Sequence, residues 1–125
     1  GDDKPQAVVS HQSALALHEL SDLLPGKVHI TVPKTFRKTP PPNVELHRGP
    51  LAASATAARA GFAVTKPLRT LVDVAGDDTV PTEQVMQAVR DAVDRGVVTR
   101  RKLRSAVAGD GVPQRLREIV DEVLG

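Results

Sequence analysis

Alternating apolar and polar residues predict strands in the first half of the chain. Val28–Val32 alternates apolar with polar residues, and in Val44–Arg48 the residues Val44, Leu46 and Arg48 alternate with Glu45 and His47, which is typical of strands with one buried face. A short apolar run predicts a third strand over Gly61–Thr65. The basic, proline-rich connection Lys34–Pro42 cannot be helical, and we expect the first two strands to pair antiparallel through it. The alanine-rich segment Leu51–Arg59 fits either a loop or a short helix.

Helical periodicity marks the start of the chain. Ser10 is a good N-cap for a helix of about ten residues, which we expect to end near Leu24, where Pro25 and Gly26 follow.

The chain after Thr65 also reads as helical. Pro67 suits the first turn of a helix, and Leu68, Leu71, Val72 and Ala75 then form one apolar stripe. Thr82 and Thr99 are expected to cap two further helices, and Pro113 to open the last one. The predicted fold is therefore α+β: a small antiparallel sheet of about three strands, an N-terminal helix before it and a helical C-terminal half.

Composition narrows the class of protein. The 125 residues show no repeat, so we expect a disordered N-terminal junction over residues 1–6 and one domain over residues 7–125. The absence of cysteine excludes disulfides and thiolate zinc sites, and the absence of Trp and Tyr counts against a base-stacking platform. No apolar run approaches the length of a membrane span and no signal peptide is visible, so we expect a soluble cytoplasmic protein.

The four histidines are the first candidates for chemistry. His11 and His18 are seven residues apart, which allows both to lie on one helix face, and His29 and His47 can be cross-strand neighbours. No HExxH-type spacing occurs, so we predict no metal site and no cofactor. We expect His18 to pack under the sheet, and His29 and His47 to line its exposed or helix-covered face.

Catalytic motifs are not apparent. The sequence contains no nucleophile elbow, phosphate loop or dinucleotide fingerprint, and Ser10 beside His11 is too local to suggest a triad. Arg69 and Asp73 are four residues apart, so they can share one helix face. They could form an exposed ion pair, or Arg69 could anchor a loop from beneath; we favour a structural role. A nuclease would need a set of carboxylates and a lysine that we do not find, so we predict that the protein is not an enzyme.

Two clusters of basic residues have two interpretations. One lies on the proline-rich connection and the other on the short helix after Thr99; together they comprise Lys34, Arg37, Lys38, Arg100, Arg101, Lys102 and Arg104. They either contact phosphates or a partner, or they are solvated charges. The net charge of +2 is too small to decide between the two. Contacts to phosphates would give affinity but not sequence recognition.

Three segments in order resemble one known family. They are Ala7–Leu20, Val28–Lys34 and Val64–Val74. The chain resembles the C-terminal domain of AbiEi-type antitoxins of bacterial type IV toxin–antitoxin systems, and their relatives among actinobacterial transcriptional regulators. The matching features are a Ser-His pair and a later His in the first helix, an I-T-V-P strand, a His-Arg pair and a P-x-R-T-L-x-D run. The motif residues comprise Ser10, His11, His18, His47, Arg48, Pro67, Arg69, Thr70, Leu71 and Asp73.

The resemblance implies a function that composition does not reveal. Such proteins usually carry an N-terminal winged helix-turn-helix that binds operator DNA, and this chain would be the portion after it. The domain would oppose a nucleotidyltransferase-like toxin without a stable complex and, in some members, assist DNA binding through a basic face. The alternative is an accessory or assembly module of a repressor without direct antitoxin activity. No catalytic group is implied, and the motif residues Ser10, His11, His18, Pro67, Arg69, Thr70 and Asp73 would be scaffold residues.

Overall fold

The computed structural model describes residues 7–21 and 25–125, in which five strands and five α-helices form an α+β fold. The expected α+β class is confirmed, but the sheet is larger than expected and mixed rather than antiparallel. The strands are β1 Val8–Val9, β2 Val28–Val32, β3 Val44–Arg48, β4 Thr56–Arg59 and β5 Phe62–Thr65. The helices are α1 His11–Leu17, α2 Pro67–Ala75, α3 Thr82–Asp94, α4 Arg100–Val107 and α5 Gln114–Leu124, and one 3₁₀ turn spans Ala53–Ala55.

The sheet has the order β3-β2-β1-β5-β4 and mixes both strand directions. β2 pairs in parallel with β3 and antiparallel with β1, and β5 pairs in parallel with β1 and antiparallel with β4. The expected antiparallel pairing of β2 with β3 is therefore wrong. Parallel neighbours need a connection that returns to the starting end, and the long proline-rich segment provides one.

Two strands were not expected. β1 has only two residues, too few for a visible alternation. β4 is alanine-rich, and alanine has low strand propensity; it forms as half of a hairpin whose turn contains Gly61 in the left-handed region, at φ +82°. Pairing with β5 therefore outweighs local preference in this segment.

Both polar residues of β2 are buried, and of its apolar residues only Val32 is buried as deeply, at 1% exposed. His29 and Thr31 are 9% and 3% exposed, whereas Val28 is 45% exposed. The burial of these polar side chains exceeds what the half-buried pattern predicted. It is tolerated because the buried polar groups are hydrogen-bonded. The Ser13 hydroxyl accepts from the His29 N–H at 2.8 Å, and Thr31 donates to Ser10 at 2.7 Å.

The main hydrophobic core lies among the helices. It contains the expected inward positions of α2, α3, α4 and α5, including Leu71, Val89, Leu103 and Leu116, all fully buried. Thr99 caps α4 by accepting a hydrogen bond from the Lys102 N–H at 3.1 Å, as expected. Thr82 is instead the first residue of α3, one position after its N-cap.

Helix α1 is shorter than predicted because it ends at Leu17 rather than near Leu24, a residue that lies outside the described ranges. The Leu20 N–H donates to the Leu15 carbonyl and the Glu19 N–H to the Ala16 carbonyl, both at 2.9 Å. These two bonds form a Schellman motif, with Glu19 at φ +58° in the position that glycine usually occupies. The end of α1 was therefore not predictable from the sequence, because glutamate is unusual at the position that glycine usually occupies.

Arginines from other elements satisfy the carbonyls at several helix ends. Each donates to one or more C-terminal carbonyls: Arg95 to His18 and Glu19, Arg115 to Val74 and Ala75, Arg117 to Val107 and Gly109, and Arg100 to Leu124. These carbonyls have no partner inside their own helices. The contacts therefore fix how the helices pack, and they use four of the chain's cations for structure. Among the described residues, no helix is long and apolar enough to cross a membrane.

Candidate functional site

Three imidazole rings from three elements meet at one end of the sheet. His11 at the start of α1 lies flat on His47 of β3, with ring centroids 3.5 Å apart and ring planes 9° from parallel. His29 of β2 is hydrogen-bonded to His47, with Nδ1 and Nε2 separated by 2.9 Å. The expectation that His29 and His47 are neighbours is confirmed, and His11 joins them.

A buried chain of hydroxyl groups orients His11. Thr31 Oγ1 donates to Ser10 Oγ at 2.7 Å, and Ser10 Oγ lies 2.9 Å from Nδ1 of His11. After accepting from Thr31, the Ser10 hydroxyl still has one proton to donate and one lone pair to accept with, so its bond to His11 Nδ1 is compatible with either tautomer of the imidazole. Ser10 is fully buried, so its hydroxyl serves this hydrogen-bond chain rather than a substrate.

The rings face an open recess with an acidic rim, called here the histidine recess. Its volume is about 500 Å³, and it is lined by His11, His29, Glu45, His47, Gly76, Asp77, Asp78 and Thr79. The acidic groups come from β3 and from the loop between α2 and α3. One oxygen of Asp77 accepts from the N–H and the hydroxyl of Thr79, at 2.9 and 2.7 Å, which fixes this loop.

The environment of the recess favours the neutral forms of His11 and His29. Burial, followed by the nearby His47, lowers the pKa of His11 to about 3. Burial and His47 also lower the pKa of His29. Burial alone would raise the pKa of Asp77, but hydrogen bonds from Thr79 and the proximity of His11 and His47 hold it below its usual value. At neutral pH the recess therefore combines neutral His11 and His29 with a negatively charged Asp77.

The described residues contain no group of three or more histidines, aspartates and glutamates that could hold a metal ion. The ring nitrogens that face one another, on His29 and His47, are hydrogen-bonded together, and Nδ1 of His11 faces Ser10. The three rings thus join α1, β2 and β3 through the stack of His11 on His47 and the hydrogen bond between His29 and His47.

His18 lies away from this recess. Its Nε2 is 2.8 Å from the carbonyl oxygen of Thr65 at the end of β5, and burial lowers its pKa. His11 and His18 thus do not form one site. The hydroxyls of Thr65 and Thr70 are 2.7 Å apart, which connects the end of β5 to the first turn of α2. Two of the motif residues, His18 and Thr70, therefore hold the strand-to-helix corner that Pro67 opens.

Arg69 and Asp73 form a partly buried ion pair, with Nε and Oδ1 separated by 2.8 Å. Nη2 of Arg69 also donates to the carbonyl of Pro50 at 3.2 Å, so it holds the loop after β3 as the structural interpretation required. The other carboxylate oxygen of Asp73 is buried and has no partner within the described part of the chain. Burial raises the pKa of Asp73, although Arg69 opposes the shift.

The two basic clusters border the same surface segment, residues 49–56. Lys34 lines a groove with Gly49, Pro50, Leu51, Ala53 and Thr56. Lys102 lines a second groove with Ser54, Ala55 and Lys66. The other cluster members, Arg37, Lys38, Arg100, Arg101 and Arg104, are exposed. The sequence did not reveal that Lys66 and Lys102 line the same groove, because they are far apart in the chain and lie on different elements: Lys66 is the N-cap of α2 and Lys102 lies in α4.

Comparison with known proteins leaves the family open. The chain matches no protein-family model, and no curated protein matches it at a significant level.

Proposed function

We propose that this chain is the antitoxin domain of a bacterial transcriptional autoregulator, acting in the cytoplasm against a nucleotidyltransferase-like toxin. One observation carries the proposal: the polar residues of the first AbiEi-like motif contact each of the other motifs. Ser10 of the first motif bonds Thr31 of the second, and His11 stacks on His47. His18 of the first motif bonds the carbonyl of Thr65 in the third.

These contacts support the scaffold role that the resemblance implies. If the motif residues hold the fold together, the residues that act on a partner are expected elsewhere on the surface of the domain. The same contacts argue against an enzyme. Ser10 is fully buried, Asp73 is paired with Arg69, and the imidazoles of His29 and His47 bond one another. A nucleophile or general base needs an accessible reacting atom, and these groups are engaged in structure.

The test is relief of toxicity in growing cells. Expression of the proposed nucleotidyltransferase-like toxin is induced, with residues 1–125 supplied from a second plasmid. We expect growth to recover with the wild-type chain and not with Leu71→Asp, which places a charge in the fully buried core and should unfold the domain. If the wild-type chain is folded but does not restore growth, whereas the full-length protein does, this domain is not an antitoxin by itself.

A second candidate is an accessory DNA-binding module of a repressor. It is favoured by the position of both basic clusters beside residues 49–56. Charge reversal at Lys34, Arg37 and Lys38 in the full-length protein should weaken operator binding and make its salt dependence less steep. About one unit of log–log slope is lost for each phosphate contact removed. Unchanged affinity and slope would eliminate this role.

A further inference from the structure

A groove between α2 and α4 has an aliphatic floor and two lysines at its rim; we call it the α2–α4 groove. Its volume is about 460 Å³. Its lining includes Leu68 and Val72 from α2, Ala106 from α4, and Val97 and Val98 from the turn before α4. Val97 is 36% exposed, so part of this apolar surface faces solvent.

Both lysines stand on backbone that is fixed. Lys66 is the N-cap of α2; its N–H donates to the carbonyl of Ala55 at 2.8 Å, and its carbonyl accepts from the hydroxyl of Thr70 at 2.9 Å. The N–H of Lys102 donates to the hydroxyl of Thr99. The rim charges are therefore presented from rigid positions on two different elements.

No negative charge in the groove's lining balances these lysines. Both side chains are exposed, and neither has an ion pair among the described residues. The third cation in the lining, Arg69, is already paired with Asp73. A partner that fits must bring negative charge for the rim and apolar groups for the floor.

We propose that the α2–α4 groove docks a peptide segment of a partner protein that combines aliphatic and acidic side chains. Aliphatic side chains cover the valine and leucine floor, and carboxylates meet Lys66 and Lys102. A nucleic-acid backbone satisfies the lysines but leaves the apolar floor without a matching surface. A second copy of the chain is disfavoured, because the acidic, aliphatic helix α5 already buries Ile119, Val120 and Leu124 in its own core.

The proposal is tested with a fluorescein-labelled peptide of alternating Glu-Leu pairs, using anisotropy with the whole chain. The comparators are poly-L-glutamate, which has charge without an aliphatic side, and random-sequence duplex DNA. The groove variant is K66E/K102E. The matched control is K34E/K38E, which reverses the same number of exposed charges in the other basic cluster.

We expect saturable binding that the groove variant weakens roughly tenfold or more and the control variant about twofold or less. Thermal melting of both variants should match the wild type, because the substituted side chains are exposed. Three results would overturn the proposal: peptide affinity unchanged by K66E/K102E, poly-L-glutamate binding as tightly as the peptide, or duplex DNA binding more tightly through the same two lysines. The outcome is independent of toxin relief, so it is distinguishable from the outcome of the growth assay.

Discussion

The imidazole ring of His11 lies face to face on that of His47, with their centroids 3.5 Å apart. The two residues are 36 positions apart (47 minus 11) and belong to different elements, α1 and β3. Face-to-face contact is compatible with neutral rings, but two positive charges at this distance repel one another. The stack therefore links the beginning of α1 to the sheet in a way that depends on protonation.

Stability should fall as the pH falls below about 6.5. The folded-state pKa of His11 is lowered from 6.5 to about 3, so between these values the unfolded chain binds more protons than the folded one. The contribution of neutral His11 to stability is fully present above pH 6.5 and is progressively lost as the pH decreases. His11 alone would lower the free energy of unfolding by about 1–2 kcal/mol between pH 7 and pH 5, after allowance for its partial exposure. Urea titrations across this range measure the effect.

The control for this prediction is His11→Asn. His11 has φ +53°, a left-handed conformation that Asn tolerates well. The variant should be less stable at pH 7, because the stack is lost, but its stability should depend less steeply on pH. An equal pH dependence in variant and wild type would show that His11 is not the responsible group.

Glu19→Gly should stabilise the protein. Glu19 adopts φ +58° in the Schellman motif that ends α1, where a residue with a Cβ is strained and glycine is not. Its side chain is exposed, and its carbonyl, which accepts from Arg95, is kept in the variant. We expect the free energy of unfolding to rise by about 1 kcal/mol, measured by denaturant titration. Glu19→Ala is the matched comparison, and a gain as large from alanine would contradict the backbone explanation.

Arg115→Met should destabilise the helical half. The Arg115 guanidinium donates to the carbonyls of Val74, Ala75, Asp77 and Val80, at distances between 2.7 and 3.1 Å. Removing a charged donor from partly buried carbonyls should cost about 2–4 kcal/mol. The exposed Arg104→Met serves as the control, with a change within about 0.5 kcal/mol. Similar melting temperatures for the two variants would refute this role.

Arg69→Ala should cost about 1–3 kcal/mol, because it leaves the Asp73 carboxylate largely buried without its partner. In that background, Asp73→Asn removes the uncompensated charge and should recover part of the loss. The double-mutant cycle therefore predicts strong coupling between positions 69 and 73. Urea titrations of the wild type, the two single variants and the double variant measure this coupling. Additive changes in the free energy of unfolding would mean that the interaction of Arg69 with Asp73 does not stabilise the fold.

The helical half was predictable from local pattern, and the sheet was only partly so. The apolar stripe of α2 follows from spacing alone, and Leu71 is fully buried as that stripe requires. The direction of β3 relative to β2 depends on how the chain returns through the proline-rich connection, which no local pattern encodes. β4 forms from alanines only because β5 lies opposite it.

The candidate sites were harder to predict, because they join distant residues. The link between His29 and His47 was visible as alternation on two strands, but the contact of His11 with His47 depends on where α1 begins after β1. In the same way, Lys66 and Lys102 are distant in the chain but line the same groove. Such juxtapositions follow from tertiary packing, and single-sequence patterns carry no direct record of them.

The most direct test of the proposed antitoxin activity is the growth of cells that express the nucleotidyltransferase-like toxin that we propose as its opponent, together with residues 1–125 alone. Colony counts are compared for the wild-type chain, the core variant Leu71→Asp and an empty plasmid. An antitoxin domain predicts recovery with the wild-type chain only. If a folded wild-type chain, verified by its melting curve, gives no more colonies than the empty plasmid, the assignment of antitoxin activity to this domain is contradicted.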